Sequence, residues 1–409
     1  MNNNAYKERF LKYVSFETTS NEESPTHPST AIQKKLSEYL VNELHNIGVS
    51  NAYMDEKGFV YGYIKSNCAS ENTIGLIAHV DTSSDASGKN VKPNIIEYYN
   101  GEIITLNEEL GLKLDPEVFP RLNKQIGHEL ITTDGTTLLG ADDKSGIAII
   151  MTVVDELLHS NINYPNIIVT FTPDEEIGRG TDGFDIKYYK DRNCHIAYTL
   201  DGGAYEIFNY ENFNAARAVI TINGKSIHTG LAKGKLINSS LLAMEFNSML
   251  PEYARPELTE GYEGFNHLTN ISGTCEKTIM KYIIRNHDKQ LFEHQKALFK
   301  EIETFMNQKY GYNAVSVIIT DTYYNMKEEV DKNYQVIKIL KDSFLELGIN
   351  PIAEPIRGGT DGASLTYQGI ITPNIGTGGQ NFHGPYEYVD VNEATLLIDI
   401  VKNLLKHYL

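Results

Sequence analysis

Leu138-Leu139-Gly140-Ala141-Asp142-Asp143-Lys144-Ser145-Gly146 leads from an apolar pair and a glycine, through two adjacent carboxylates, into the helical pattern of residues 147–158. Standing alone, acids at a helix start cap free N–H groups and complement the macrodipole. These have company. His79-Val80-Asp81, Asp174-Glu175-Glu176, Asp201 and His383-Gly384-Pro385 each close an apolar strand-like run or a glycine-rich loop. Separated segments thus end in residue types that bind metal ions.

Working outward, residues 73–80 form a near-continuous apolar run, as expected of a strand buried on both faces, and deliver His79 and Asp81 to its C-terminal end. Residues 58–64 read as its partner strand. A helix over 142–159, a strand over 166–172 that ends in Asp174-Glu175-Glu176, and a strand over 195–200 that ends in Asp201 repeat a βαβ rhythm. That rhythm predicts an α/β domain with a mostly parallel sheet, in which ligands bind beyond the carboxyl ends of the strands. Amphipathic helices over 5–16 and 29–47 cover the sheet, the second with a stripe of Ile32, Leu36, Leu40, Leu44 and Ile47 that stops at Gly48. Residues 82–137, broken by Pro93, Pro116 and Pro120, predict irregular or small antiparallel structure beside the site.

From about residue 209 the pattern changes to strand 215–222, helix 236–249, strands 270–275 and 278–285, helix 289–310 and strand 314–320. This βαββαβ order is that of the ferredoxin-like α+β motif. The chain then resumes with a helix over 333–347, the loop Arg357-Gly358-Gly359-Thr360-Asp361-Gly362, a strand over 370–375 and a last helix over 392–408. The expected organisation is a catalytic domain in two parts, 1–208 and 325–409, with 209–324 inserted as a lid or dimerisation domain.

Composition excludes several alternatives. A chain of 409 residues, 41% hydrophobic and 22% charged, can bury the cores of two or three units. Its formal charge of −18, without clustered Lys and Arg, argues against nucleic acid and anionic membrane as partners. Cys68, Cys194 and Cys275 lack Cys-x-x-Cys spacing, so neither a disulfide framework nor a thiolate zinc site is indicated. The segment from Met1 lacks the order of a secretory signal, and the longest apolar run, 147–154, is far short of the ~20 residues a membrane span needs. A cytoplasmic location is expected.

In His-x-Asp at a strand end, one side chain can bind metal while the other receives the imidazole N–H. Of the adjacent acids Glu175 and Glu176, one can bind metal while the other moves a proton; Asp174 would shape the turn. Two His and three carboxylates without thiolate suit a pair of divalent ions such as zinc, cobalt or manganese.

These motifs, in this order, closely resemble the tripeptide aminopeptidase (peptidase T) family of the di-zinc clan that includes glutamate carboxypeptidase, peptidase V and succinyl-diaminopimelate desuccinylase. The resemblance runs over essentially the whole chain, and the separation of 63 positions from His79 to Asp142 favours this subfamily. It implies that Asp142 bridges two metal ions, with His79 and Asp201 completing one site and Glu176 and His383 the other. Glu175 would be the general base and Asp81 would orient His79. A cis peptide between Asp142 and Asp143 is implied as well. His228, in Gly224-Lys225-Ser226-Ile227-His228-Thr229-Gly230, resembles the clan's lid histidine that stabilises the oxyanion, in some members across a homodimer interface. Arg285 and Arg357 resemble residues that hold the substrate carboxylate.

The activity so implied is metal-dependent release of the N-terminal residue from small peptides with free termini. Within the clan the rivals are a dipeptidase, a carboxypeptidase and an N-acyl-amino-acid deacylase. Outside enzymes, the rival is a peptide-binding scaffold, which would need no general base.

Overall fold

The computed structural model describes residues 3–409. Met1 and Asn2, at the head of the segment read for a targeting signal, lie outside the described residues. The chain divides into two compact units, Met1–Tyr210 with Glu328–Glu354 and Thr360–Leu409, and Glu211–Lys327 with Pro355–Gly359. The short piece that carries Arg357 thus clusters with the second unit, although its sequence position lies beyond 324.

The first unit is built on an eight-stranded sheet in the order Tyr53–Met54, Val60–Ile64, Asn166–Thr172, Thr73–His79, Cys194–Gly202, Asn374–Gly376, Ile207–Asn209, Ile352–Ala353. The four strands from Asn166–Thr172 to Asn374–Gly376 run parallel, with His79 beside Thr172 and Gly376 beside Gly202. Their C-terminal ends therefore lie along one edge. The two runs expected to pair, 58–64 and 73–80, do not. Asn166–Thr172 is inserted between them, antiparallel to Val60–Ile64 and parallel to Thr73–His79. The strand expected over 370–375 shortens to Asn374–Gly376, with Ile371 making only an isolated bridge to Ile196.

Helix Ala141–Leu158 is apolar nearly all round because it is covered nearly all round: it packs on the sheet and against helices Asn3–Val14 and Val391–Lys406. Across the helix interface, Tyr6 and Ser145 share a hydroxyl hydrogen bond of 2.6 Å, and Ser145 donates to the Thr377 carbonyl at 2.7 Å. The sheet's other core cluster gathers Phe59, Tyr61, Ile77, Ile168, Tyr189 and Leu365.

Residues 82–137 form a hairpin, Ile104–Asn107 with Leu112–Leu114, and supply two strands to a four-stranded antiparallel sheet ordered Gly379–Gln380, Tyr388–Asp390, Leu130–Thr132, Asn94–Ile96. Tyr99, Leu106, Leu114, Leu122, Leu130 and Tyr388 form its core. The segment thus buttresses the two strands that flank His383.

The second unit has strands Asn214–Asn223, Phe265–Gly273, Lys277–Asn286 and Val315–Tyr323 with helices Ser239–Ser248 and Lys289–Tyr310. Every neighbouring pair is antiparallel, and Lys277–Asn286 separates the first two strands, which splits the βαβ crossover as in the ferredoxin-like motif. The first helix begins later than the expected 236, at Ser239, because the Asn238 side chain accepts Ser240 N–H and caps it. Among the described residues no helix is long and apolar enough to cross a membrane.

Candidate metal centre

The site assembles where the parallel strands end. Thr73–His79 delivers His79, the turn after Asn166–Thr172 delivers Glu175 and Glu176, Cys194–Gly202 delivers Asp201, and the loop between Gly379–Gln380 and Tyr388–Asp390 delivers His383. Asp142 meets them from the start of helix Ala141–Leu158. Its backbone (φ −88°, ψ 102°) is not helical, the Asp142–Asp143 peptide is cis, and Gly140 before it takes the left-handed φ of 81°. Capping falls instead to Asp143, whose Oδ1 accepts Gly146 N–H at 3.2 Å. Asp142 is thereby left to face the site.

Asp142 presents its two oxygens to two imidazoles, Oδ1 at 2.9 Å from His79 Nε2 and Oδ2 at 3.3 Å from His383 Nε2. His79 Nε2 also faces Asp201 Oδ1 at 3.6 Å, and His383 Nε2 faces Glu176 Oε2 at 2.9 Å. Potential ligand atoms of His79, Asp142 and Glu176 lie within 4.8 Å of one another, as do those of His79, Glu175 and Asp201. His79 Nδ1 points to the Asp81 carbonyl at 3.1 Å and carboxylate at 3.4 Å. With its proton on Nδ1, His79 offers a lone pair at Nε2.

Asp81 does more than face His79. Its Oδ1 accepts Glu175 N–H at 3.0 Å and its Oδ2 accepts Glu176 N–H at 3.2 Å, so one buried carboxylate fixes the turn that carries both acids. Asp174 braces the turn from behind. It sits at a left-handed φ of 61° and accepts Ser29 N–H at 2.6 Å and Gln33 Nε2 at 2.7 Å. His383 likewise has a positive φ of 64°. Side-chain-bearing residues adopt that region at a cost, and here they do so beside the site.

Burial drives the Glu175 carboxyl well above its ordinary range, with Asp201 adding repulsion. Burial likewise lifts Glu176 to about 7, Asp201 to about 6 and Asp361 to about 7. Burial also pushes Asp142 upward, but hydrogen bonds from His383 and His79 outweigh it and hold Asp142 well below the usual range. The hydrogen bond to Asp142, reinforced by Glu176, raises His383 to about 11. These acids outnumber the two imidazoles that face them. Two divalent ions fit the donor set, because His79 with Asp201 and His383 with Glu176 converge on the two oxygens of Asp142 and the excess charge is negative.

Three of these buried groups were not legible as site residues. Asp143 accepts His79 N–H at 3.1 Å, Asp361 accepts the Thr172 hydroxyl at 2.9 Å, and the Glu387 carboxylate accepts backbone N–H groups of the loop before Asp142. Glu387 had one available signal, a lone acid between Tyr386 and the apolar Tyr388-Val389. His228, Arg285 and Arg357 belong to the second unit. His228 Nδ1 accepts Gly230 N–H at 3.2 Å. The Arg285 guanidinium donates to the Ile284 carbonyl at 3.1 Å and lies 5.2 Å from the Tyr323 ring centre. Arg357 donates to the carbonyls of Gly261, Glu263 and Thr259 and to the Thr259 hydroxyl.

Residues 130–407 match the family model described as peptidase family M20/M25/M40. The chain is 48% identical over 403 residues to peptidase T of Bacillus subtilis, and equally so to peptidase T of Caldanaerobacter subterraneus, in each case across 98% of both chains. Among solved structures it resembles the aminopeptidase PepT from Bacillus cereus (TM-score 0.78, 20% identity, covering 100% of this chain and 99% of that one). It also resembles the aminoacylhistidine dipeptidase from Vibrio alginolyticus (TM-score 0.64, 15% identity, 98% and 96% covered). At these identities the solved structures speak to the fold.

Proposed function

This chain belongs to peptidase family M20/M25/M40 and, within it, to the peptidase T tripeptide aminopeptidases, and we propose that it releases the N-terminal residue of tripeptides with free termini at the site centred on Asp142. The observation that carries this reading is the pair of contacts from the two Asp142 oxygens, one to His79 and one to His383. A carboxylate so shared suits a dinuclear centre, with His79 and Asp201 holding one divalent ion and Glu176 and His383 the other. Zinc is the proposed metal, with cobalt or manganese able to replace it.

When bound, the ions would polarise the scissile carbonyl and lower the pKa of the attacking water. Glu175 takes the proton from that water and returns it to the leaving amine, from a turn held by the Asp81 carboxylate on the Glu175 N–H. Asp81 holds Glu175 in place through its backbone N–H and fixes the ring of His79. His228 donates to the oxyanion that develops on the carbonyl, and Arg285 and Arg357 receive the substrate carboxylate.

Chromatography of a tripeptide, its N-acetyl form and a dipeptide, each incubated with chelated and then zinc-restored enzyme, tests this reading. Metal-dependent release of the first residue from the free tripeptide alone is expected. Cleavage of the acetylated peptide would favour a deacylase or carboxypeptidase, and metal uptake without any cleavage would favour a binding scaffold.

A further inference from the structure

Glu387 is almost fully buried, four positions beyond His383, in a hairpin that closes where Glu387 N–H donates to the Gly384 carbonyl at 3.2 Å. Its Oε2 accepts Leu139 N–H at 2.7 Å and Gly140 N–H at 2.8 Å, and its Oε1 accepts Asp142 N–H at 3.0 Å. The left-handed turn at Gly140 directs these N–H groups to one side, forming a concavity that suits an anion. The occupant is the protein's own carboxylate. One side chain therefore ties the backbone of Asp142 to the loop that carries His383.

The His79 side of the centre is held separately, by Asp143 on the His79 amide and Asp81 on its ring. We infer that Glu387 is a positioning residue that sets the distance between Asp142 and His383, and so selectively governs the ion held by His383, Glu176 and Asp142. This rests on the dinuclear reading proposed above. Without the Glu387 charge, the loop from Leu139 to Asp142 has buried donors to satisfy elsewhere, and the loop that carries His383 loses its tie to the Asp142 backbone.

The test is calorimetric titration of chelated wild type and Glu387→Gln with Co²⁺, with the visible absorption of the bound cobalt recorded at each step and circular dichroism of the metal-free proteins as a folding control. The wild type should take up two equivalents. The variant should keep the first near wild-type affinity, bind the second about 10- to 100-fold more weakly, and show an altered spectrum for that second ion. Two equivalents with wild-type affinities and spectra would overturn the inference, and so would equal weakening of both. Should Glu387→Gln not fold, Glu387→Asp, which keeps the charge with a shorter reach, is read by the same criteria. A wild type that binds fewer than two ions would fail the dinuclear reading itself, a result separate from any difference between variant and parent.

Discussion

The Asp143 carboxylate accepts the backbone N–H of His79 at 3.1 Å, so the start of a helix fastens the end of a strand 64 positions earlier in the chain. Asp143 is fully buried and also accepts Gly146 N–H. Asp143→Ala leaves these donors without their partner, at a cost of about 1–3 kcal/mol. Urea unfolding of the metal-free protein should show a lower midpoint with an unchanged slope. An unshifted midpoint would mean that the contact holds nothing together.

Metal removal should destabilise the first unit as well as stop turnover. Asp142, Glu175, Glu176 and Asp201 crowd around two imidazoles, and two divalent ions would neutralise the surplus. Each ion that binds only the folded chain adds about 2.7 kcal/mol at a hundred times its dissociation constant. Thermal unfolding should therefore move to lower temperature on chelation and return with zinc or cobalt. A midpoint indifferent to both treatments would count against a metal centre built from these residues.

Glu175→Ala separates metal binding from proton transfer. Glu176, not Glu175, faces His383 Nε2, and Asp142 and Asp201 face His79 Nε2. The variant should retain metal content by elemental analysis while tripeptide turnover falls by about 10²- to 10⁴-fold, the usual contribution of a positioned acid–base group. Retained turnover would remove Glu175 from the reaction; lost metal would make it a ligand.

What the sequence made legible follows from how local each signal is. His79 and Asp201 end buried parallel strands, which read as apolar runs without any knowledge of their neighbours. The placement of Asn166–Thr172 between Val60–Ile64 and Thr73–His79 is a matter of long-range pairing, and nothing within either run announces it. In residues 82–137 small antiparallel structure was legible, but its place was not, since Leu130–Thr132 finds its partner at Tyr388–Asp390, more than 250 positions away. Asp143 was visible as an acid at a helix start. Its second role, on the His79 amide, appears only once the strand and helix are packed.

Arg285 and Arg357 provide the test of how the substrate's far end is bound. In the second unit, Arg285 stacks near Tyr323 and donates to main-chain oxygens at 3.1 and 3.5 Å, whereas Arg357 has both terminal nitrogens engaged by Thr259, Gly261 and Glu263. If each guanidinium also receives the substrate carboxylate, losing that charged hydrogen bond costs about 1.5–3 kcal/mol. Arg285→Met and Arg357→Met should then each raise KM for a free tripeptide about 10- to 100-fold with little change in kcat. The tripeptide amide, which lacks the carboxylate, is the control: wild type should bind it more weakly than the free acid, and the variants should scarcely distinguish the two. Arg357→Met should in addition lower the unfolding midpoint, because the loop from Thr259 to Glu263 loses its donors. A variant that lowers the midpoint yet still prefers the free acid as wild type does would assign that arginine to structure alone.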